Sequence, residues 1–250
     1  MMSILMINDN PASRLLVILQ EGKKVKIDAN TTVTWKQLLR VPPHGLHSDS
    51  KLMAKLGQFM LLPHEVQKLI GQFYPEQSQD LKYCISRIQT ALTEQNLKGN
   101  WHSFISHIDD HTISTLSMSS VLLDHKLETK LIKSDELDSL KEKISNVLSE
   151  TIKAELPEEF KKFITHYLKK ILSSIDDYFI SGAVPILDAL EATLGHAVLD
   201  PSFKETLTKT PIGGKIRTVL GDVANIVTVA AAASGAVTYL STSGFPLLAS

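Results

Sequence analysis

Between residues 134 and 180 the apolar residues recur every three or four positions in two stretches, and this confines the chain to a helical fold. The first stretch holds Leu137, Leu140, Ile144, Val147, Leu148 and Ile152. The second holds Phe160, Phe163, Ile164, Tyr167, Leu168, Ile171, Leu172, Ile175 and Phe179. Side chains at that spacing share one face of an α-helix, whereas a half-buried strand needs strict alternation. Pro157 separates the stretches, and Glu158 and Glu159 follow it in a first helical turn, where the helix dipole favours carboxylates. Two amphipathic helices joined by so short a turn predict an antiparallel αα-hairpin at about 134–181.

The rest of the chain repeats this logic with shorter helices. Asn10-Pro11 reads as an N-cap followed by a proline in the first turn, and Gly22 is placed to end that helix. Lys23 to Ile27 alternates charged and apolar residues and reads as a short β-like connector. Asn30 to Thr32 caps a second helix carrying Trp35, Leu38 and Leu39, which Pro42-Pro43 stops. Ser48 and Asp49 open a third, with Leu52, Met53, Leu56 and Phe59 at helical spacing. Pro63 reads as the start of a fourth, carrying Val66, Leu69, Ile70 and Phe73. Residues 1–77 therefore form a small module of short helices.

Residues 78–250 read as a bundle of longer helices. Leu81, Cys84, Ile85, Ile88, Ala91 and Leu92 give one stripe, and Trp101, Phe104, Ile105 and Ile108 give another. Asp200-Pro201 and Thr210-Pro211 each repeat the cap-and-proline start, the latter ahead of an apolar C-terminal helix at about 211–240. The fold class is all-α, with a short-helix N-terminal bundle followed by a longer-helix bundle that contains the hairpin.

Charge narrows the function. With 26 basic and 27 acidic residues the formal net charge is −1, so no global field draws in nucleic acid. The lysines around Phe160–Phe179 are interleaved with carboxylates, as on a solvated face. The single cysteine, Cys84, closes no disulfide within the chain and supplies no thiolate zinc site. The apolar start MMSILMIN has no basic segment before it, unlike a secretory signal. These features predict a cytoplasmic protein, with membrane association only on activation.

Three places invite a functional reading. His107 and His111 lie four apart in H-I-D-D-H, a spacing that puts two imidazoles on one helical face and lets them share a metal. Ile108 stands where a zinc hydrolase has its glutamate, so the pair reads as two boundary histidines before it reads as a metal site. Gly213-Gly214-Lys215 lacks the earlier glycine and the following Ser or Thr of a phosphate loop, and reads instead as a pair that loosens a turn next to a helix start or lets two backbones approach. His196 has Asp188 and Glu191 on the preceding turns, at spacing poor for a catalytic pair.

The third place is the C-terminal stretch from Val223 to Ser250, which contains no Asp, Glu, Lys, Arg or His. Val223, Ile226, Val227, Val229, Ala233, Val237 and Leu240 form its apolar series. A membrane span takes roughly 20 such residues. The stretch is rich in small residues, so it reads as a fully buried core helix, a self-association surface or a conditional membrane segment.

No coherent catalytic constellation and no cofactor motif emerge. The leading expectation is a non-enzymatic interaction or regulatory subunit whose partner is another protein or a second copy of itself. The alternative is a bacterial membrane-perturbing effector, of the toxin or phage-defence type, that uses 223–250. Third is a metal-dependent enzyme with a His/carboxylate site.

Overall fold

A computed structural model describes residues 9–127 and 129–231. Among them are twelve α-helices and no strand, so the chain is all-α. Its contacts divide into two compact units, Met1–Glu128 and Thr129–Ser250.

The first unit contains α1 (Pro11–Lys24), α2 (Thr31–Leu38), α3 (Ser48–Phe73), a 3₁₀ turn (Pro75–Gln77), α4 (Ser78–Glu94), α5 (His102–Ile105) and α6 (Asp110–Leu127). Helices α1 and α4 each pack against both α3 and α6, closing a four-helix ring. Asn10 starts α1 by accepting from the Ser13 amide at 2.9 Å. It also donates Nδ2 to the Ser120 carbonyl of α6 at 3.1 Å. Both its polar ends are therefore satisfied, as full burial demands. Trp35 sits at the centre of the unit, its ring 5.1 Å from Phe59, 5.1 Å from Trp101 and 4.8 Å from Phe104. Its Nε1 donates to Gln95 Oε1 at 2.7 Å, and Trp101 Nε1 donates to the Gly22 carbonyl at 2.8 Å.

Three local expectations change here. Lys23 and Lys24 complete the last turn of α1, where cations suit the helix dipole, and form no strand. The connector that follows borrows partners from the loop before α5: the Trp101 and His102 amides donate to the Ala29 and Ile27 carbonyls at 2.7 and 2.8 Å. This leaves one isolated bridge, between Asn30 and Asn100. Pro63 opens no helix. It lies buried inside the 26-residue α3, where the packing of Phe59, Leu62 and Val66 outweighs the roughly 3 kcal/mol that an interior proline costs. Finally, the boundary expected at 77/78 falls inside the first unit, because α4 turns back onto α3 instead of leaving it.

The second unit contains α7 (Ser134–Lys153), α8 (Glu158–Asp176), α9 (Tyr178–Ser181), α10 (Val184–Leu199), α11 (Pro201–Lys209) and α12 (Pro211–Ala231). Helices α7 and α8 are the hairpin read from the sequence. α8 packs on α10, α10 on α12 and α12 on α7, closing a second ring. Its core is Leu140, Ile144 and Val147 of α7, Ile164, Leu168 and Ile171 of α8, Ile186, Leu187 and Leu190 of α10, and Ile216, Leu220, Val223 and Val227 of α12. Lys143–Asp222 and Lys215–Glu150, each at 2.6 Å, pair α7 with α12 in antiparallel order. Gly213 permits the α11–α12 corner. A Cβ there would lie 2.4 Å from the Leu207 carbonyl oxygen and 2.5 Å from that of Thr206.

Candidate functional site

Helix α3 carries two apolar faces. Leu52, Leu56, Phe59, Leu62, Val66 and Ile70 are buried in the first unit. On the opposite side Ser50, Met53, Ala54, Gly57, Met60, Leu61 and His64 follow the same three-and-four spacing, and all are exposed. Met53, Met60 and Leu61 are 46%, 43% and 58% exposed. None of the seven is acidic or a lysine or arginine. The outer face of a helix is ordinarily charged, and a contiguous exposed apolar surface marks a place where something binds. Methionine suits such a surface because its unbranched, polarizable side chain adapts to what meets it.

Gly57 sits at the middle of that face. A Cβ there would touch nothing within 4 Å, and its backbone conformation is an ordinary one. Glycine inside a helix costs about 1 kcal/mol relative to alanine, and packing within the first unit gives no reason for it. Its effect is to let another backbone come close at that point.

Charges frame the face. Asp49 and Lys51 stand exposed at its N-terminal end, Glu65 and Lys68 at its C-terminal end. Asp49 also pairs with Lys36 at 2.7 Å. Glu65 lies 3.7 Å from Arg14. Partial burial pushes the Glu65 carboxyl above its usual range, and the charges of Arg14, His64 and Lys68 pull it back. The sequence pattern grouped Met53 with Leu52, Leu56 and Phe59; in the structure it points outward, one position past the buried Leu52.

The histidine pair is not brought onto one helix. The chain leaves helical geometry after α5 and resumes it at Asp110, so His107 lies in the connecting turn and His111 in the first turn of α6. His107 Nε2 is 3.5 Å from Glu94 Oε2, while the His111 ring packs 5.3 Å from Tyr83. Among the described residues no group of three His, Cys, Asp or Glu side chains is placed to hold a metal ion. The connecting turn instead serves Asp109. This residue accepts from the Thr112 amide at 2.7 Å and from Tyr83 Oη at 2.9 Å, with Arg87 3.8 Å away. Desolvation works to raise its pKa, and those hydrogen bonds together with the Arg87 charge overcome it, bringing it down to about 2. His196 takes Asp200 as its neighbour, Nε2 to Oδ2 at 3.6 Å, and stacks on Phe163 with ring centroids 3.5 Å apart. Asp188 and Glu191 are not its partners in that contact.

Of the C-terminal series, Val223 and Val227 are fully buried in the second unit and Ile226 is half-buried against its core. Val229 belongs to α12 as well. Ala233, Val237 and Leu240 lie outside the described residues. No helix among the described residues is long and apolar enough to cross a membrane. An open cleft of about 350 Å³ between α7 and α12 is lined by Asp135, Glu136, Ser139, Lys143, Asp222 and Asn225. Two of these, Lys143 and Asp222, pair with each other at 2.6 Å.

The fold and this face define an all-α chain of two helical units in which one helix face without Asp, Glu, Lys or Arg is open to solvent. Comparison with protein-family models, with curated proteins and with solved structures finds no match.

Proposed function

We propose that the chain is a non-enzymatic helical interaction protein and that it binds through the exposed face of α3. The observation supporting this is the second exposed face on one helix, made by seven residues between Ser50 and His64 of which none is acidic or a lysine or arginine, and centred on a glycine that its own unit does not need. Helix-in-groove recognition uses anchors at this spacing. The test is site-specific photocrosslinking of the full chain in cells, with the probe at Met60 and, as a control, at the exposed Lys169 of α8. A discrete adduct at Met60 that Leu61→Lys removes supports the reading. Equal labelling at both sites, or a Met60 adduct indifferent to Leu61→Lys, refutes it.

A second reading keeps the charge-free stretch Val223–Ser250 as a membrane-directed segment of an effector. The observation favouring it is that uninterrupted absence of charge. Val223 and Val227 would first have to leave the core of the second unit. Fractionation of full-length protein, with an alkaline wash of the membrane pellet, tests it; recovery wholly outside the washed pellet from cells in which the protein is toxic would sink it.

A further inference from the structure

Helix α8 segregates its charges. Its carboxylates stand at the two ends, Glu158 and Glu159 in the first turn and Asp176 in the last. Between Phe160 and Ile175 it carries Lys161, Lys162, His166, Lys169 and Lys170 and no acid. Lys161 turns back to Glu158 at 3.5 Å, and Asp176 is held by Lys141 of α7 at 2.6 Å. Lys162, His166, Lys169 and Lys170 are exposed. Their spacing sets them on the side of α8 opposite the buried Ile164, Leu168 and Ile171. The three outward lysines fall within about 12 Å of one another along the axis at 1.5 Å per residue. That is little more than a Debye length at physiological salt, so they act on a facing surface as one patch. The neighbouring α10 exposes Asp188 and Glu191, which confine the patch to α8 itself.

The last turn of α10 adds an apolar element at one end of this patch. His196 stacks on Phe163 of α8 with ring centroids 3.5 Å apart. Leu199 follows His196 by three residues, on the same side of α10, and is 84% exposed. Asp200 beside it is taken up by the Ser202 and Phe203 amides, at 2.9 and 3.1 Å, and by His196. We propose that this side of α8 seats the chain on the surface of an anionic lipid bilayer, with Leu199 reaching into the headgroup layer. The contact lies wholly in the second unit and is independent of the reading of α3.

A clustered set of lysines on an amphipathic helix is what an anionic leaflet attracts, and one apolar side chain entering the headgroup layer adds to the hold. Nucleic acid fits the patch less well. Helix α8 has no Arg, Asn or Gln to read base edges. The rings beside the lysines are engaged with each other, Phe163 with His196 and, at 4.5 Å, with Tyr167. Leu199 also has no use against phosphate. Each lysine at such a surface is worth about fivefold in binding, so the three together contribute roughly a hundredfold.

Flotation of the full-length chain with vesicles reads this directly, using phosphatidylcholine alone and phosphatidylcholine mixed equally with phosphatidylserine. The chain is expected to float with the mixed vesicles and not with the neutral ones, and to be released as salt shortens the Debye length to about 3 Å. Replacing Lys162, Lys169 and Lys170 together by Gln should weaken binding roughly a hundredfold. Glutamine is nearly as good a helix former as lysine, and circular dichroism checks that the variant stays folded. The same replacement at the exposed Lys26, Lys51 and Lys98 of the first unit makes an equal change in net charge and should leave binding intact. Leu199→Ser should cost about fivefold, the worth of partly burying a leucine, without changing the salt dependence.

A chain that floats with neither kind of vesicle overturns the proposal. Equal flotation with both overturns it as well, because an apolar segment and not α8 then makes the contact. If the control triple variant loses as much binding as the α8 variant, net charge and not this face is responsible. Failure of Leu199→Ser to weaken binding removes Leu199 from the contact. Binding of a fluorescent single-stranded oligonucleotide that the α8 variant abolishes, with no vesicle binding, assigns the patch to nucleic acid and overturns the membrane.

Discussion

Gly213→Ala and Gly214→Ala, adjacent in sequence, should shift stability in opposite directions. Both residues lie in the first turn of α12, where alanine is worth about 1 kcal/mol more than glycine by helix propensity alone. At Gly214 a Cβ meets nothing within 4 Å, so Gly214→Ala should gain about 0.5–1 kcal/mol. At Gly213 it would lie 2.4 and 2.5 Å from two backbone carbonyl oxygens and 2.7 Å from the Leu207 carbonyl carbon. Carbon and oxygen pack no closer than about 3.2 Å, so α11 and α12 must separate by up to nearly an ångström. The obstacle is backbone on both sides, and no rotamer change relieves it. Overpacking of this kind costs about 1–3 kcal/mol, and this contact belongs at the upper end. After subtracting the propensity gain, Gly213→Ala should lose about 2 kcal/mol. Urea unfolding followed by circular dichroism should show the second unit's midpoint falling by roughly 1 M. If Gly213→Ala proves as stable as Gly214→Ala, the close approach of α11 to α12 is wrong.

Other perturbations test other parts of the structure. Asn10→Ala removes the cap of α1 and the hydrogen bond to Ser120 together, and should cost the first unit about 2 kcal/mol in the same unfolding assay. Asp109 has a pKa of about 2 in the folded chain, against about 3.9 for an unfolded aspartate. Its charge therefore stabilises above pH of about 4, and that contribution is lost as pH falls towards 2. Asp109→Asn should lower the thermal midpoint at neutral pH, with the gap to wild type closing on acidification; a gap constant with pH would refute the assignment. Cys84 is buried and its thiol is pushed up to about 12, by desolvation first and the Asp109 charge second. It should resist thiol reagents at pH 8 until the first unit unfolds, and rapid labelling of native protein would contradict the packing of α4. Val227→Lys buries an unpaired ammonium in the second core and should cost several kcal/mol. A folded, fully stable variant would show that α12 is not a core helix.

The parts of the fold legible in the sequence were those where one interaction dominates. The stripes of α7 and α8 repeat over several turns around a single proline, and no competing pattern fits them. Pro63 shows the opposite case: read locally it begins a helix, and only the core contacts of Phe59, Leu62 and Val66 carry α3 through it. The His107–His111 spacing implied a shared face because it assumed an unbroken helix. Asp109 capping α6 ends that assumption, since a residue accepting from the amide three positions on begins a new helix there. The face of α3 was hidden because Met53 adjoins Leu52 and helical spacing alone assigns both to the core. An apolar residue announces burial in the sequence whether its cover comes from its own chain or from another.

The bond from Asn10 to Ser120 spans 110 residues and sets an order of events during synthesis. Helix α1 emerges first and meets α3 on one side, yet the bond from Asn10 Nδ2 to Ser120, the bond from Trp101 Nε1 to the Gly22 carbonyl and the cover given by α6 all wait for residues 101–127. Until α6 has been made, Leu15, Ile18 and Leu19, which are buried in the finished unit, have no cover from it. Entropy of loop closure must be met before these long-range contacts repay it. The first unit thus closes late, end against end, and a chain cut short within α6 should leave α1 sticky.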